Sequence, residues 1–246
     1  MVGRLDAPAA TELSGLVRSR ARTGVFWAHN DSGDVARVFA LGQDGRQLGE
    51  VAVAGAEAVD WEDIAIRGRT LYAGDIGDNL AQRSEVVVYR FAEPRTGDTQ
   101  AFAEPLTLRY PDGARDAEAL LVDPRGGALV IVTKDFGGAG GVYVAAPGSD
   151  NLRHAGTLRL GVGQAITAGD ISADGRVIAL RSYDRAFVWT RRRGESVAAA
   201  LRRRPCTAGA RLIAEGQGET LALSRDGRAF WTVPEGARPP LRRYGR

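Results

Sequence analysis

Cysteine, methionine, lysine and histidine are nearly missing from this 246-residue chain, which has one Cys, one Met, one Lys and two His. With Cys206 alone, no intrachain disulfide and no cysteine-based zinc site can form, and cysteine usage says nothing of compartment. No apolar run approaches the ~18 residues of a membrane span. Met1 to Ala10 lacks the apolar stretch of a secretory signal, so the chain as written is expected to be soluble, and its native compartment is not legible. Helical periodicity is almost absent too; the best candidate, Glu195 to Arg204, is short and uncapped.

Lys134 is the only lysine, so the net charge of +3 rests almost wholly on arginine. The clusters Arg191-Arg192-Arg193 and Arg202-Arg203-Arg204 could meet a polyanion, but they flank Gly194 and Pro205 in surface connections without aromatics for base stacking. Nucleic acid is therefore not an expected partner. A composition of 44% hydrophobic and 26% charged residues is that of a globular chain able to bury a core unaided. All-β units of about 200 to 250 residues are common as single domains, so one domain over 1–246 is expected.

What the chain does contain is short strand-like runs punctuated by Asp-Gly, a hairpin signal. Examples are Val38–Leu41 before Gln43-Asp44-Gly45-Arg46, and Leu221-Ala222-Leu223 before Arg225-Asp226-Gly227-Arg228. Five segments align: Glu12–Val17, Asp60–Ile66, Asp116–Val122, Thr167–Ser172 and Gln217–Leu223. Ser14, Glu62, Glu118, Gly169 and Glu219 then fall at intervals of 48, 56, 51 and 50 residues. That is the spacing of propeller blades. A second strand ending in a polar cluster follows each segment. The expected fold is an all-β, five-bladed β-propeller with four-stranded antiparallel blades. Its last unit has room for three strands, so Val2 to Ala9 should supply the fourth and remove the open edges. A β-sandwich would not predict five matched segments.

The first strand of each blade lines the central channel with alternate residues pointing inward, so Glu62, Glu118 and Glu219 should converge. Crowded carboxylates must either hold protons or be neutralised by a cation. With the Ser14 hydroxyl and Asp170 or a backbone carbonyl from the fourth blade, the donor set is all oxygen, which suits Ca²⁺ better than zinc or copper. The bland alternative is that arginines pair with these acids and merely hold blades together.

The order Ser, Glu, Glu, variable, Glu, carried by Glu12–Leu16, Trp61–Ala65, Ala117–Leu120 and Gly218–Leu221, resembles the five-bladed propellers of the SdiA-regulated and esterase-like phytase-domain groups, in particular an actinobacterial branch whose members are often exported. It is also similar to the ring of the calcium-activated nucleotidases (apyrases). The resemblance implies Ca²⁺ ligation at Ser14, Glu62, Glu118 and Glu219. Gly169 departs from the pattern, which leaves Asp170, a carbonyl or water for the fourth blade.

The second-strand ends should gather at one mouth: His29, Asn30, Asp31, Asp34, Asp75, Asp78, Asn79, Lys134, Asp135, Arg181, Tyr183 and Glu235. Beside a metal, such a mixture could act on a phosphate ester or anhydride, with Lys134 and Arg181 stabilising negative charge and Asp31, Asp75 or Glu235 orienting water. Turn chemistry explains the Asp-rich clusters equally well. No nucleophile elbow is present, which argues against a serine hydrolase. Two readings stay open: a calcium-dependent hydrolase, or a non-catalytic monomeric propeller with a structural ion and a mouth for a small molecule or peptide.

Overall fold

The computed structural model describes residues 1–245, without the side chains of 207–209. It is a closed ring of five blades, with a single short helix among the described residues. The N-terminal strand β1 (Gly3–Arg4) precedes blade 1, which comprises β2 (Leu13–Arg18), β3 (Val25–Asn30), β4 (Arg37–Gly42) and β5 (Gln47–Ala54). Blade 2 begins with β6 (Trp61–Arg67), β7 (Thr70–Asp75) and β8 (Val86–Ala92), detours through β9 (Gln100–Phe102) and ends with β10 (Glu104–Leu108). Blade 3 is β11 (Ala117–Val122), β12 (Leu129–Thr133), β13 (Gly141–Ala145) and β14 (Arg153–Thr157). Blade 4 is β15 (Ala168–Ile171), β16 (Val177–Arg181), β17 (Arg185–Thr190) and, after helix α1 (Val197–Leu201), β18 (Thr207–Arg211). Blade 5 is β19 (Ala222–Leu223), β20 (Ala229–Thr232) and β21 (Pro240–Gly245).

Strand β1 pairs antiparallel with β21, Gly3 opposite Leu241, so the N-terminus completes the last blade as expected. The inner strands β2, β6, β11, β15 and β19 adjoin one another in that order and back to β2. Five apolar clusters make up the core, one in each cleft between neighbouring blades. Trp27 and Trp61 lie in the cleft of blades 1 and 2, and Trp189 in that of blades 3 and 4. The inner and middle strands therefore bury side chains on both faces and read as continuous apolar runs, whereas an outer strand such as β5 alternates.

Two features were not foreseen. The segment after β8 crosses to blade 1, where β9 adds a parallel fifth strand on β5. The same crossing carries Glu93, whose buried carboxylate accepts from Trp27 Nε1 at 3.1 Å and from the Ser19 hydroxyl. This clasp accounts for the longest repeat interval, between Glu62 and Glu118. The helix is also capped after all: the Ser196 side chain accepts from Ala199 N, the ordinary role of serine at an N-cap.

The hairpins facing away from the acids repeat one design. In Ser172–Arg176 and Ser224–Arg228 the serine hydroxyl donates to the Asp carboxylate at 2.7 and 2.6 Å, and a glycine at φ 69° or 67° closes the turn. At the axis, carboxylates tie the inner strands together. Asp63 Oδ2 accepts from Leu120 N at 2.9 Å and Gly169 N at 3.1 Å, joining blade 2 to blades 3 and 4. Asp170 Oδ2 accepts from Leu223 N at 2.7 Å, joining blade 4 to blade 5. An orphaned buried N–H costs about 1–3 kcal/mol, so Asp63→Ala is expected to remove about 3 kcal/mol or more of stability in urea denaturation. A loss near zero would show that the ring does not rely on this carboxylate.

Candidate metal centre at the channel mouth

Three inner strands carry an irregularity at one equivalent position. The ladder passes from Leu13–Asn30 to Gly15–His29, from Trp61–Asp75 to Asp63–Gly74, and from Ala117–Thr133 to Ala119–Val132. The residues skipped are Ser14, Glu62 and Glu118. A bulge leaves its extra residue out of the ladder and re-aims the side chain, so all three are free to turn toward the axis. Blade 4 has no such skip: Ala168, Gly169, Asp170 and Ile171 pair in unbroken register with Arg181, Leu180, Ala179 and Ile178.

The acids converge as three overlapping groups, Asp31–Asp60–Glu62, Asp31–Glu219–Glu235 and Glu62–Asp116–Glu118, with ligand oxygens in each within 4.8 Å of one another. Together they form a band of seven carboxylates from blades 1, 2, 3 and 5. Lys134 Nζ donates to Glu118 Oε1 at 2.5 Å, while Glu118 Oε2 is buried with no hydrogen-bond partner among the described residues. Ser14 Oγ donates to the Glu62 carbonyl at 2.5 Å and stands 3.3 Å from Glu62 Oε2. Blade 4 contributes Tyr183, whose hydroxyl donates to Glu219 Oε1 at 3.0 Å and whose ring lies 5.7 Å from Lys134 Nζ. Gly77 closes against the group: a β-carbon there would run into Glu62 Oε1 and Asp60 Oδ2.

The electrostatic consequence is uniform in sign. Burial, then the Glu118, Asp31 and Asp60 charges, push Glu62 up to about 11. Burial raises Glu118 to about 8 even though Lys134 opposes it. Burial and the Glu219 charge raise Glu235 to about 7, and burial with Asp31 and Asp116 raises Asp60 to about 6. Without a cation these acids hold protons or repel. The oxygen-only donor set fits a hard divalent ion, and Glu118 Oε2, buried and unpartnered among the described residues, is a donor that such an ion could take.

The other expected residues separate. Asp170 departs from the expected ring: Oδ1 accepts from Ile171 N at 2.7 Å, Oδ2 from Leu223 N, and Arg20 lies 3.9 Å away, so it is an inter-blade pin. It is the equivalent of Asp63, with the same kind of backbone N–H partners, and the place of Glu62 is held in blade 4 by Gly169. Arg181 is fully buried, donating to Glu215 Oε2 at 2.9 Å and the Thr220 carbonyl at 3.0 Å. It clamps blade 4 to blade 5 and presents no charge to the mouth. Asp75 is 1% exposed and spoken for by Arg83 Nη1 at 2.7 Å and Asp60 N at 3.1 Å. Asp34, Asp78 and Asp135 accept backbone N–H groups of their own loops, which is turn chemistry. His29 is buried against the Trp61 ring, its Nδ1 2.8 Å from the Asn30 carbonyl, and burial pushes its pKa down to about 4. Of the expected catalytic set, Asp31, Lys134 and Glu235 stand at the mouth.

Asp60 and Asp116 were not singled out from sequence. Each sits two residues before a ring glutamate, and the Asp-x-Glu spacing recurs at Asp60-Trp61-Glu62 and Asp116-Ala117-Glu118, at the entry to β6 and β11. That signal was available.

No family model and no curated protein matches this chain. Among solved structures it is similar to hydrazine synthase of Kuenenia stuttgartiensis, with 10% identity over 95% of this chain and 83% of that one and a TM-score of 0.50. It is also similar to U3-55K, with 10% identity over 94% and 90% and a TM-score of 0.48. A third likeness is to a candidate 6-phosphogluconolactonase from Bacteroides uniformis, with 15% identity over 98% and 68% and a TM-score of 0.46. At such identities the likeness is one of fold. The class defined by fold and site together is a five-bladed β-propeller with acidic clusters able to hold a metal ion at one channel mouth.

Because the folded acids titrate above their unfolded values of about 4, their contribution to stability is complete below that pH and is lost as pH rises through the folded values. The melting temperature of chelated protein is therefore expected to fall between about pH 5 and pH 8, through the steps near 6, 7 and 8 for Asp60, Glu235 and Glu118. Glu235→Gln should flatten the middle of that profile. A melting temperature that rises with pH across this range would contradict the assignment.

Proposed function

We propose that the protein is a calcium-binding propeller whose acid mouth holds one Ca²⁺ and takes a small-molecule or peptide ligand there. The observation that carries this reading is the band of seven carboxylates facing one lysine, with Glu118 Oε2 buried and unpartnered. Buried charges are paired or bound to metal, and arginines, the alternative partners, are absent from the band among the described residues. Glu62 and Glu118 would hold the ion, with Asp31, Asp60, Asp116 and Glu219 around them and the Ser14 hydroxyl beside Glu62. The ion would neutralise the acids and offer a Lewis-acidic point for a ligand oxygen. A cavity of about 460 Å³ opens beside Lys134 and Asp116, with Arg115, Tyr143 and His154 in its wall, and gives room for a small ligand. The likeness of the ring to those of the phytase-domain and apyrase-type propellers supports calcium; a monomer secreted from its cell is in keeping with that likeness.

Hydrolysis of a phosphate ester or anhydride is the second reading. It is favoured by Glu235, which burial and the Glu219 charge push up to about 7, and by the one cation of the band, Lys134 on Glu118. Against it, Arg181 is enclosed in the blade wall, and a phosphate dianion approaching the mouth meets more carboxylate than cation. Binding without turnover is the better fit.

After chelation, Ca²⁺ is expected to raise the melting temperature in proportion to the logarithm of its concentration above Kd, with Mg²⁺ and Mn²⁺ giving less. Glu118→Gln and Gly77→Ala should each weaken Ca²⁺ by at least about tenfold, which is 1.4 kcal/mol of binding energy. No shift with any cation, together with no metal in untreated protein, would overturn the reading. Calcium-dependent turnover of a chromogenic phosphate ester that is lost in Lys134→Ala would move the balance to the hydrolase.

A further inference from the structure

The opposite end of the channel has the opposite charge. Arg18 ends β2, and the hairpins Ser172–Arg176 and Ser224–Arg228 lie at the same lower end. Arg20, from the turn after β2, reaches beneath the channel from blade 1 to blade 4 and donates through Nη2 to the Ile171 carbonyl at 2.9 Å. Its side chain is 8% exposed, and Nη1 is buried without a hydrogen-bond partner. The one acid within reach, Asp170 at 3.9 Å, already accepts two backbone N–H groups.

Beside it, the Arg18 guanidinium stacks 4.4 Å from the Trp231 ring and 5.5 Å from Phe26, and Arg243 approaches Trp231 at 5.5 Å. Among the described residues neither the half-buried Arg18 nor the exposed Arg243 has a side-chain hydrogen bond or an ion pair, whereas the buried Arg181 and Arg191 are each paired with an acid. Burial, then Arg20 and Arg243, lower the pKa of Arg18, as expected of cations gathered without a counter-ion. Asp226, the nearby acid, accepts from Ser224 Oγ and Arg228 N. An open groove of about 650 Å³ runs past Arg18, Ala173, Asp174, Ser224, Arg225 and Asp226. Guanidinium forks match tetrahedral oxyanions and hold them by paired N–H donors, and a buried donor left unmade is costly until such a partner arrives.

We infer that this lower mouth is a binding site for a small dianionic oxyanion of the phosphate or phosphomonoester class, held by Arg18, Arg20 and Arg243 with Arg225 at the rim. The anion completes Arg20 Nη1, relieves the crowding of Arg18 and Arg243, and lies on the far side of the channel from the band of seven carboxylates; the two acids of the groove, Asp174 and Asp226, are turned to the N–H groups of their own hairpins. The site is independent of the calcium reading, so its test uses chelated protein.

Inorganic phosphate and glycerol phosphate, each against chloride at matched ionic strength, are to be titrated while the melting temperature and the heat of binding are followed. The expected result is a saturable rise with phosphate that chloride does not give, and an affinity at least tenfold weaker in Arg18→Gln and in Arg243→Gln. Arg193→Gln, at a distant exposed arginine, should bind as the parent does. Tighter binding of glycerol phosphate would identify a monoester as the ligand, and tighter binding of phosphate the free anion. Should Arg18→Gln lose its near-ultraviolet dichroism, the exposed Arg243→Gln decides alone. Equal responses to phosphate and chloride, or unchanged affinity in Arg243→Gln, would overturn the site.

Discussion

Five inner strands meet around the axis of this ring, and each offers the channel an edge whose backbone N–H groups have no ladder to join. Everything else in the structure depends on how those edges are satisfied. Water could serve them only by filling the channel. Instead Asp63 and Asp170 reach across to the N–H groups of Leu120, Gly169 and Leu223, and Thr167 Oγ1 and Ser14 Oγ donate to the carbonyls of Gly218 and Glu62. The blades are tied at the centre by short side chains and at the clefts by apolar clusters. The termini are tied at the rim, where two residues of β1 close the last blade on β21.

On that frame the channel acquires a polarity. Bulges at Ser14, Glu62 and Glu118 turn three side chains up and inward, loops bring Asp31, Asp60, Asp116 and Glu235 to meet them, and the result is a concentration of negative charge that proteins do not keep without a proton or a cation. At the other end Arg20 underlies the channel and Arg18 and Arg243 crowd Trp231. The two ends are thus opposite in charge, and the formal net charge of +3 conceals the division.

Much of this was legible beforehand. Recurrence of one short motif at blade spacing was enough for five blades, and the missing strand of the last unit pointed to the N-terminus. The convergence of Glu62, Glu118 and Glu219 was legible from their equivalent places in the repeat, although bulges rather than simple alternation aim Glu62 and Glu118 inward. Asp60 and Asp116 lie just ahead of β6 and β11, outside the column of glutamates, and only the recurring Asp-x-Glu spacing marks them in the sequence. Asp170 stands level with Asp63, because Gly169 holds the ring position of blade 4 and has no side chain to offer, and only the tertiary structure shows its carboxylate spent on the N–H groups of Ile171 and Leu223. The detour through β9 was invisible because three residues of edge strand have no pattern of their own.

What the sequence by itself determined is therefore periodic: the number of blades, the inner strands, the closing strand and the column of acids, all of which follow from spacing and from alternation within single strands. What only the tertiary structure decided is where ladders slip and which partner a charge finds. Arg181, Asp75 and Lys134 are alike as polar residues at strand ends, yet one is walled in by Glu215, one is held by Arg83, and one stands at the mouth against Glu118. Those partners come from 34, 8 and 16 residues away, and a charge is placed by the fold that brings its partner within reach rather than by its neighbours in the chain.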